Sequence, residues 1–332
     1  SSSPTARRAR ARDRSCVPRT SSFETDATNH SRVTHRRAPV PMPALGVALI
    51  TGATDGIGLH TARRCVERGR DVVVHGRDLH RVERAIEAVE AHARARGSSA
   101  SVRGLVRDLS TVDGAKGLVE EVLREHGDVD AVFNNAGVYA TTFERTADGN
   151  ERTFAVNAVA PYVIAGGLIP MLVRNAKASG VKSSLLNVAS ISAAPRIDFE
   201  NVDAERRFSP HGAYSLSKAA MKAMSYEMFD RLEAGRLCGG EASVDDLNVF
   251  SCDPGTVNTK MLLAGWGRCG IETYEANDEY TIMIEDVERN GAEHNGAYFI
   301  GARPQPRASR AGDEDQARLW RLLEEKTGVV YA

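Results

Sequence analysis

Very little in this 332-residue chain is long, repeated or of one sign. Its five cysteines, Cys16, Cys65, Cys238, Cys252 and Cys269, are scattered and never fall in Cys-x-x-Cys spacing. An odd, dispersed set of thiols argues against a disulfide framework and against a zinc site, and fits free thiols in a reducing compartment. No metal site is expected. An excess of one charge is missing too: 43 basic and 44 acidic residues leave a net charge of −1. The chain therefore offers no electrostatic footprint for nucleic acid. Long apolar runs are also lacking. The longest stretch, Pro161 to Val173, holds two glycines and Pro170. It reads as too short and too broken to cross a bilayer, which takes about 20 apolar residues. No repeat or linker interrupts residues 44–328, which are expected to form one domain.

What is present begins with an asymmetry. Residues 1–43 carry nine arginines, no lysine and three acidic residues, a net of +6, which leaves −7 for the remainder. This segment is rich in Ser, Thr, Arg and Pro and has no helical or strand periodicity. It cannot bury enough surface to offset the entropy of ordering, so a disordered extension is expected. Two readings stay open. An Arg-rich, Ser-rich, acid-poor leader suits an organelle transit peptide, which implies a plastid or mitochondrion. A dispensable extension ahead of Met42 implies a cytoplasmic protein.

From Gly46 onward, short β-branched runs alternate with longer helical patterns. Strands are predicted at Val47–Ile50, Val72–Val74, Ser101–Val106, Val129–Phe133, Ser184–Val188, Leu247–Ser251 and Ala297–Ile300. Helices fall between them, and Leu319, Trp320, Leu322 and Leu323 suggest an amphipathic closing helix. Alternation of this kind predicts an α/β protein: a single-domain Rossmann fold with a doubly wound, mostly parallel seven-stranded sheet and helices on both faces.

Thr51-Gly-Ala-Thr-Asp-Gly-Ile-Gly58 sits between the first strand and the first helix. Glycines let a backbone turn tightly and approach a pyrophosphate, which then lies at the positive end of the helix. Gly52, Asp55, Gly56, Ile57 and Gly58 are the candidate cofactor contacts here. The second strand ends at Val74-His-Gly-Arg-Asp78, roughly 20 residues on, where an adenine ribose would be met. An acid there would bind a ribose 2′-hydroxyl; this chain offers Gly76 and then Arg77. A guanidinium beside a glycine suits a 2′-phosphate, which favours NADP over NAD. Asp78 is expected to cap the next helix. His75 has no evident partner and reads as an ordinary strand-end residue.

Tyr214 and Lys218 lie four residues apart, on one face of a helix. A free tyrosine titrates at about 10. A nearby ammonium favours the phenolate, so Lys218 is expected to lower the Tyr214 pKa and make it a proton donor and acceptor.

These features occur in an order that resembles the short-chain dehydrogenase/reductase family over nearly everything from Leu45 to Gly328. The Thr-Gly-x-x-x-Gly-Ile-Gly turn comes first, then Asp108-Leu109 and Asn134-Asn-Ala-Gly137. Asn157, Ser190, Tyr214 with Lys218, and Pro254-Gly-Thr-Val-Asn-Thr259 follow. Thr146-Ala-Asp-Gly149 leading into Val156-Asn157, and the longer segment Arg196 to Pro210, resemble the retinol-dehydrogenase and WW-domain-oxidoreductase branch. A likeness to light-dependent protochlorophyllide reductases is weaker.

The resemblance implies that Asp108 and Leu109 lie by the adenine and that Asn135, Ala136 and Gly137 line the ribose side. Gly255, Val257 and Thr259 would face the nicotinamide and diphosphate, with Tyr214 and Lys218 also reaching the cofactor. It implies hydride transfer between nicotinamide and a carbonyl carbon while Tyr214 exchanges a proton with the oxygen. Ser190, rather than neighbouring Ser192, would hold that oxygen. Lys218 would bond the nicotinamide ribose, and Asn157 would hold a water linking Lys218 to solvent. Relatives pair through the helices that here contain Asn157 and Tyr214, so a homodimer or homotetramer is expected.

The substrate is expected to be a small apolar aldehyde, ketone or secondary alcohol, retinoid-like by analogy. Ile191, Ala193, Ala194, Met261, Leu262, Leu263 and Trp266 are the expected walls, on the loops 193–212 and 260–275. Two other readings stay open. A catalytically idle NADP-binding sensor or scaffold would need none of Ser190, Tyr214, Lys218 and Asn157. An epimerase or isomerase with retained nicotinamide would carry a larger C-terminal substrate domain. Only about 70 residues follow Thr259, short of the roughly 100–200 of a usual domain.

Overall fold

Val47–Ile50 (β1) is buried at every position, as a strand covered on both faces must be. Its side chains alternate between two apolar clusters. Leu49 packs with Leu118, Leu168, Met221 and Trp320 on one side. Ala48 and Ile50 pack with Val66, Val89 and Phe250 on the other. The computed structural model describes residues 46–271, 294–306 and 313–331. The extension 1–43 and the part of the expected substrate loop beyond Ile271 lie outside the described residues.

The other strands are Asp71–Gly76 (β2), Val102–Val106 (β3), Val129–Asn134 (β4), Ser183–Val188 (β5), Leu247–Asp253 (β6), Tyr298–Ile300 (β7) and Arg303–Gln305 (β8). They form one sheet in the order β3-β2-β1-β4-β5-β6-β7-β8. Every neighbouring pair is parallel except β7 with β8. The winding reverses between β1 and β4, and open α/β sheets bind ligands beyond the strand ends at such a crevice.

Helices Gly56–Glu67 (α1) and Leu79–Ala95 (α2) cover one face. The other carries Val112–Glu125 (α3), Ala160–Ser179 (α5), Pro210–Glu233 (α6) and the closing helix Asp313–Thr327 (α8). A single turn, Arg152–Phe154 (α4), runs through the π-turn Ala155–Val159 into α5. Lys260–Trp266 (α7) is short. In α8, Leu319, Trp320 and Leu323 are fully buried, and Trp320 lies edge-on to Tyr162 and Tyr331 at 5.1 and 4.5 Å.

Three expectations need correcting. The sheet has eight strands rather than seven. β8 reads Arg-Pro-Gln and carries no apolar signal. As a three-residue antiparallel edge it needs only backbone pairing, and Pro304 is tolerated there. The apolar stretch around Pro170 is not broken. Arg152–Ser179 is one continuous 28-residue helical run, and an 18-residue window within it has a mean hydropathy of 1.8 and is 83% buried in the protein. It is long and apolar enough to span a bilayer, yet it serves here as the core helix of a sheet face. Finally, the segment after Thr259 opens as helix α7 rather than as a loop.

Candidate active site

Thr51 ends β1 by tying it to β4. Its Oγ1 donates to the Phe133 carbonyl at 3.2 Å and accepts from the amides of Asn135 and Ala136, both at 3.0 Å. The chain then turns at Gly52 with φ +66, where a Cβ would meet the Ala136 backbone at 2.8 Å. At Gly58 a Cβ would lie 2.5 Å from the Asn135 amide nitrogen and 2.6 Å from the Gly52 carbonyl. Only glycine fits either place, and the result is a shallow backbone cradle at the amino end of the 12-residue α1. The cradle suits a dinucleotide's diphosphate.

Asp55 caps α1, accepting from the Gly56 amide at 2.8 Å. Its other oxygen takes Lys260 at 2.5 Å and Arg81 at 3.4 Å. Burial raises this carboxyl, but the bonds from Lys260 and Gly56 outweigh it and leave the pKa below the usual value. Asp78 caps α2 as expected, accepting from the Arg81 amide at 2.9 Å.

Arg77 is exposed on the rim of the cradle and forms no ion pair among the described residues. Arg81 and Arg107 join it on the same cavity. Sequence reasoning missed both, although each follows a strand end within five residues. His75 is not an ordinary strand-end residue. It is buried, its Nδ1 lies 3.3 Å from the Gly52 amide, and its Nε2 lies 3.0 Å from the Arg107 carbonyl. Burial pulls its pKa down to about 4, so the ring is neutral.

Beyond β4, the Asn135 side chain is spent on the turn, donating to the Thr51 carbonyl at 2.9 Å. Asn134 is buried and donates to Asn187 at 2.9 Å. Gly255 stands at φ +87, and Thr259 caps α7 by accepting from the Leu262 amide at 3.1 Å. Asp253 was missed. Its two oxygens accept from the amides of Ile191 and Gly255, each at 3.0 Å, so it ties the serine loop to the Pro254-Gly255 loop. Burial raises its carboxyl, opposed by those amides and by Lys218.

Ser190 follows β5, Tyr214 stands one turn into α6, and both line the same cavity. The Ser192 amide donates to the Ser190 Oγ at 3.1 Å and fixes it; Ser192 lines the same cavity. Lys218 is buried, with Nζ 5.7 Å from the centre of the Tyr214 ring and donating to the Val188 carbonyl at 2.7 Å. Burial lowers its pKa to about 8 against the opposing pull of Cys252 and Asp253.

The expected depression of Tyr214 is not found. Burial pushes the phenol up to about 12, Ser190 works against that, and Asp253 adds to it. Desolvation of the anion outweighs an ammonium that is itself buried and committed to a carbonyl.

Asn157 does not reach the cavity. It sits fully buried in the π-turn, whose extra residue per turn rotates it inward. Its Oδ1 accepts from the Val138 amide at 2.8 Å, and its Nδ2 donates to the Val138 carbonyl and the Ser217 Oγ, both at 3.0 Å. Its Oδ1 and the Lys218 Nζ flank Gly137, 3.4 and 3.7 Å from a Cβ built there.

Every other candidate lines one cavity of about 600 Å³: Gly52, Asp55, Gly56, Ile57, Gly58, Arg77, Asp108, Leu109, Asn135, Ala136, Gly137, Ser190, Tyr214, Lys218, Gly255, Val257 and Thr259. Ile191, Met261, Leu262 and Trp266 add an apolar end, whereas Ala193, Ala194 and Leu263 do not line it. Trp266 stands 5.3 Å from the Tyr214 ring and 5.0 Å from Tyr139, an aromatic wall beside the phenol in which Tyr139 was not foreseen.

Comparison with known proteins agrees with this geometry. Residues 46–264 match the short chain dehydrogenase family. Human retinol dehydrogenase 12 is 30% identical, covering 89% of this chain and 90% of its own. Mouse polyprenol dehydrogenase is 32% identical over 69% of this chain, which spans 66% of that relative. Among solved structures, a short-chain dehydrogenase from Sphingobium yanoikuyae in complex with NADPH shares the fold. Its TM-score is 0.54 at 23% identity, covering 84% of this chain and 95% of that one. A bulky-bulky ketone specific alcohol dehydrogenase from Comamonas testosteroni matches with TM-score 0.54 at 22% identity, over 85% and 95%. The chain belongs to the short-chain dehydrogenase family, on its retinol-dehydrogenase-like branch, and is a nicotinamide-dependent oxidoreductase of alcohol and carbonyl groups.

Proposed function

We propose that this protein is an NADP-dependent reductase of apolar carbonyl compounds in which Tyr214 is the general acid. One observation carries the reading: Ser190, Tyr214 and Lys218 line the same cavity as the glycine cradle, with the Lys218 Nζ 5.7 Å from the centre of the Tyr214 ring. The reduced nicotinamide, when bound, supplies the hydride. Ser190 donates a hydrogen bond to the carbonyl oxygen and holds it against the phenol. Tyr214, with a pKa near 12, is protonated at neutral pH and gives that oxygen a proton as it becomes an alkoxide. The reverse reaction needs the phenolate, which at pH 7 is roughly one molecule in 10⁵ at such a pKa.

Lys218 supplies positive charge beneath the phenol as the proton leaves. Asn157 acts through its neighbours: it fixes the Val138 backbone and Ser217 on the α6 face that carries Tyr214 and Lys218. The preference for NADP rests on Arg77, uncommitted beside Gly76, with Arg81 and Arg107 on the same rim to offset the charge of a 2′-phosphate. The apolar end of Ile191, Met261, Leu262 and Trp266 suits an unsaturated or bulky hydrocarbon group, in keeping with relatives named for retinol and polyprenol. A panel of retinal, isoprenoid aldehydes, aryl ketones and short polar aldehydes, followed by NADPH absorbance, tests this. Faster turnover of the apolar members is expected. Equal or faster turnover of the short polar ones overturns the substrate assignment.

A further inference from the structure

One buried imidazole touches two walls of the cofactor cleft. His75, the penultimate residue of β2, has only 2% of its surface exposed. Its Nε2 faces the Arg107 carbonyl at 3.0 Å, and a carbonyl can only accept, so Nε2 carries the proton. Nδ1 is then the acceptor, and the Gly52 amide donates to it at 3.3 Å. The two partners fix the tautomer between them. The backbone repeats the arrangement: the Ala53 amide donates to the His75 carbonyl at 2.9 Å, and the Arg107 amide to the Gly76 carbonyl at 3.0 Å. Three segments distant in sequence are thus tied through one residue: the turn after β1, the end of β2 and the turn after β3.

We infer that His75 is the positioning residue that keeps the glycine cradle and the Arg107–Leu109 wall in a single register for the dinucleotide. Gly52, at φ +66 and packed against Ala136, has no other freedom once its amide is held. The inference rests on the dinucleotide reading above and applies whether NADPH or NADH is bound. The chemistry needs one acceptor and one donor on opposite sides of a flat ring, which no aliphatic side chain provides. Asparagine keeps the near acceptor for Gly52. Glutamine reaches the far carbonyl of Arg107 and leaves the Gly52 amide unmet.

The test measures dissociation constants for NADPH and NADH by calorimetry on the full chain, for wild type, His75→Ala, His75→Asn and His75→Gln. Unfolding midpoints of the cofactor-free proteins are recorded alongside. His75→Ala is expected to weaken the preferred dinucleotide about tenfold, equivalent to about 1.4 kcal/mol. His75→Asn is expected to recover affinity to within about threefold of wild type, because the cradle amide is held again. His75→Gln is expected to remain as weak as the alanine variant, whatever its unfolding midpoint. Unchanged affinity in His75→Ala overturns the inference, as do equal losses in the asparagine and glutamine variants. Should the alanine variant not fold, the order of asparagine over glutamine decides alone. A wild type that binds neither dinucleotide overturns the functional reading and this inference together. Firm wild-type binding without that order overturns this inference only.

Discussion

Lowering the pH should destabilise this protein through His75, and the amount follows from its burial. An imidazole has an ordinary pKa of about 6.5, whereas in the fold His75 is held near 4 because burial disfavours the charged ring. The Arg107 carbonyl and the Asp108 carboxylate oppose that pull without reversing it, and the Arg107 guanidinium adds to it. Above pH 6.5 the ring is neutral folded and unfolded, and the full stability is present. As pH falls below 6.5 the unfolded chain takes up a proton that the folded chain refuses, so stability drains until the folded ring protonates near pH 4. The shift of 2.5 units between 6.5 and about 4 corresponds to about 3 kcal/mol in all, of which about 2 falls between pH 7 and pH 5. Urea unfolding at pH 7 and pH 5 reads this directly when wild type is compared with His75→Asn, which has no ring to titrate. Wild type should lose about 2 kcal/mol more than the variant over that interval. Equal losses would refute the argument that the imidazole is buried and neutral.

Other expectations follow from the same geometry. Arg77→Ala should weaken NADPH by about 10–100-fold, the loss of a charge-assisted bond, and leave NADH within about twofold; equal effects on both in calorimetry contradict an assigned 2′-phosphate contact. Trp320→Ala removes a fully buried ring packed edge-on against Tyr162 and Tyr331, so chemical denaturation should show a loss of about 3–5 kcal/mol. Lys260→Ala breaks the pair with Asp55 on the surface, where the lysine side chain is 83% exposed, and should change unfolding free energy by less than about 1 kcal/mol. A larger loss would mean that this pair clamps α7 to the cradle.

Much of the fold was legible because β1, β2 and β4 carry continuous apolar runs buried on both faces, which leave little choice of element. Boundaries moved by a residue or two, as at Tyr298 and Ser183. β8 was invisible since an edge strand of Arg-Pro-Gln buries almost nothing. The cradle glycines and the meeting of Ser190, Tyr214 and Lys218 on one cavity could be read from motif order, because each follows a strand end or stands on one helix face. His75 could not: its partners are backbone atoms 23 and 32 residues away. Asp253 was equally hidden, bonding across to Ile191, 62 residues away. The direction of the Tyr214 shift was misjudged for a related reason. Spacing shows that an amine stands near a phenol, but the cost of burying the anion depends on the packing around both, and the sequence does not display it.

The central claim is that the Tyr214 hydroxyl delivers the proton in a site assembled by the rest of the cavity. Single-turnover reduction by Tyr214→Phe at saturating NADPH, beside its NADPH dissociation constant, tests it most directly. The account predicts a rate lower by about 10²–10⁴-fold with cofactor affinity within about twofold of wild type. A rate within about tenfold of wild type, with the cofactor still bound, would contradict it.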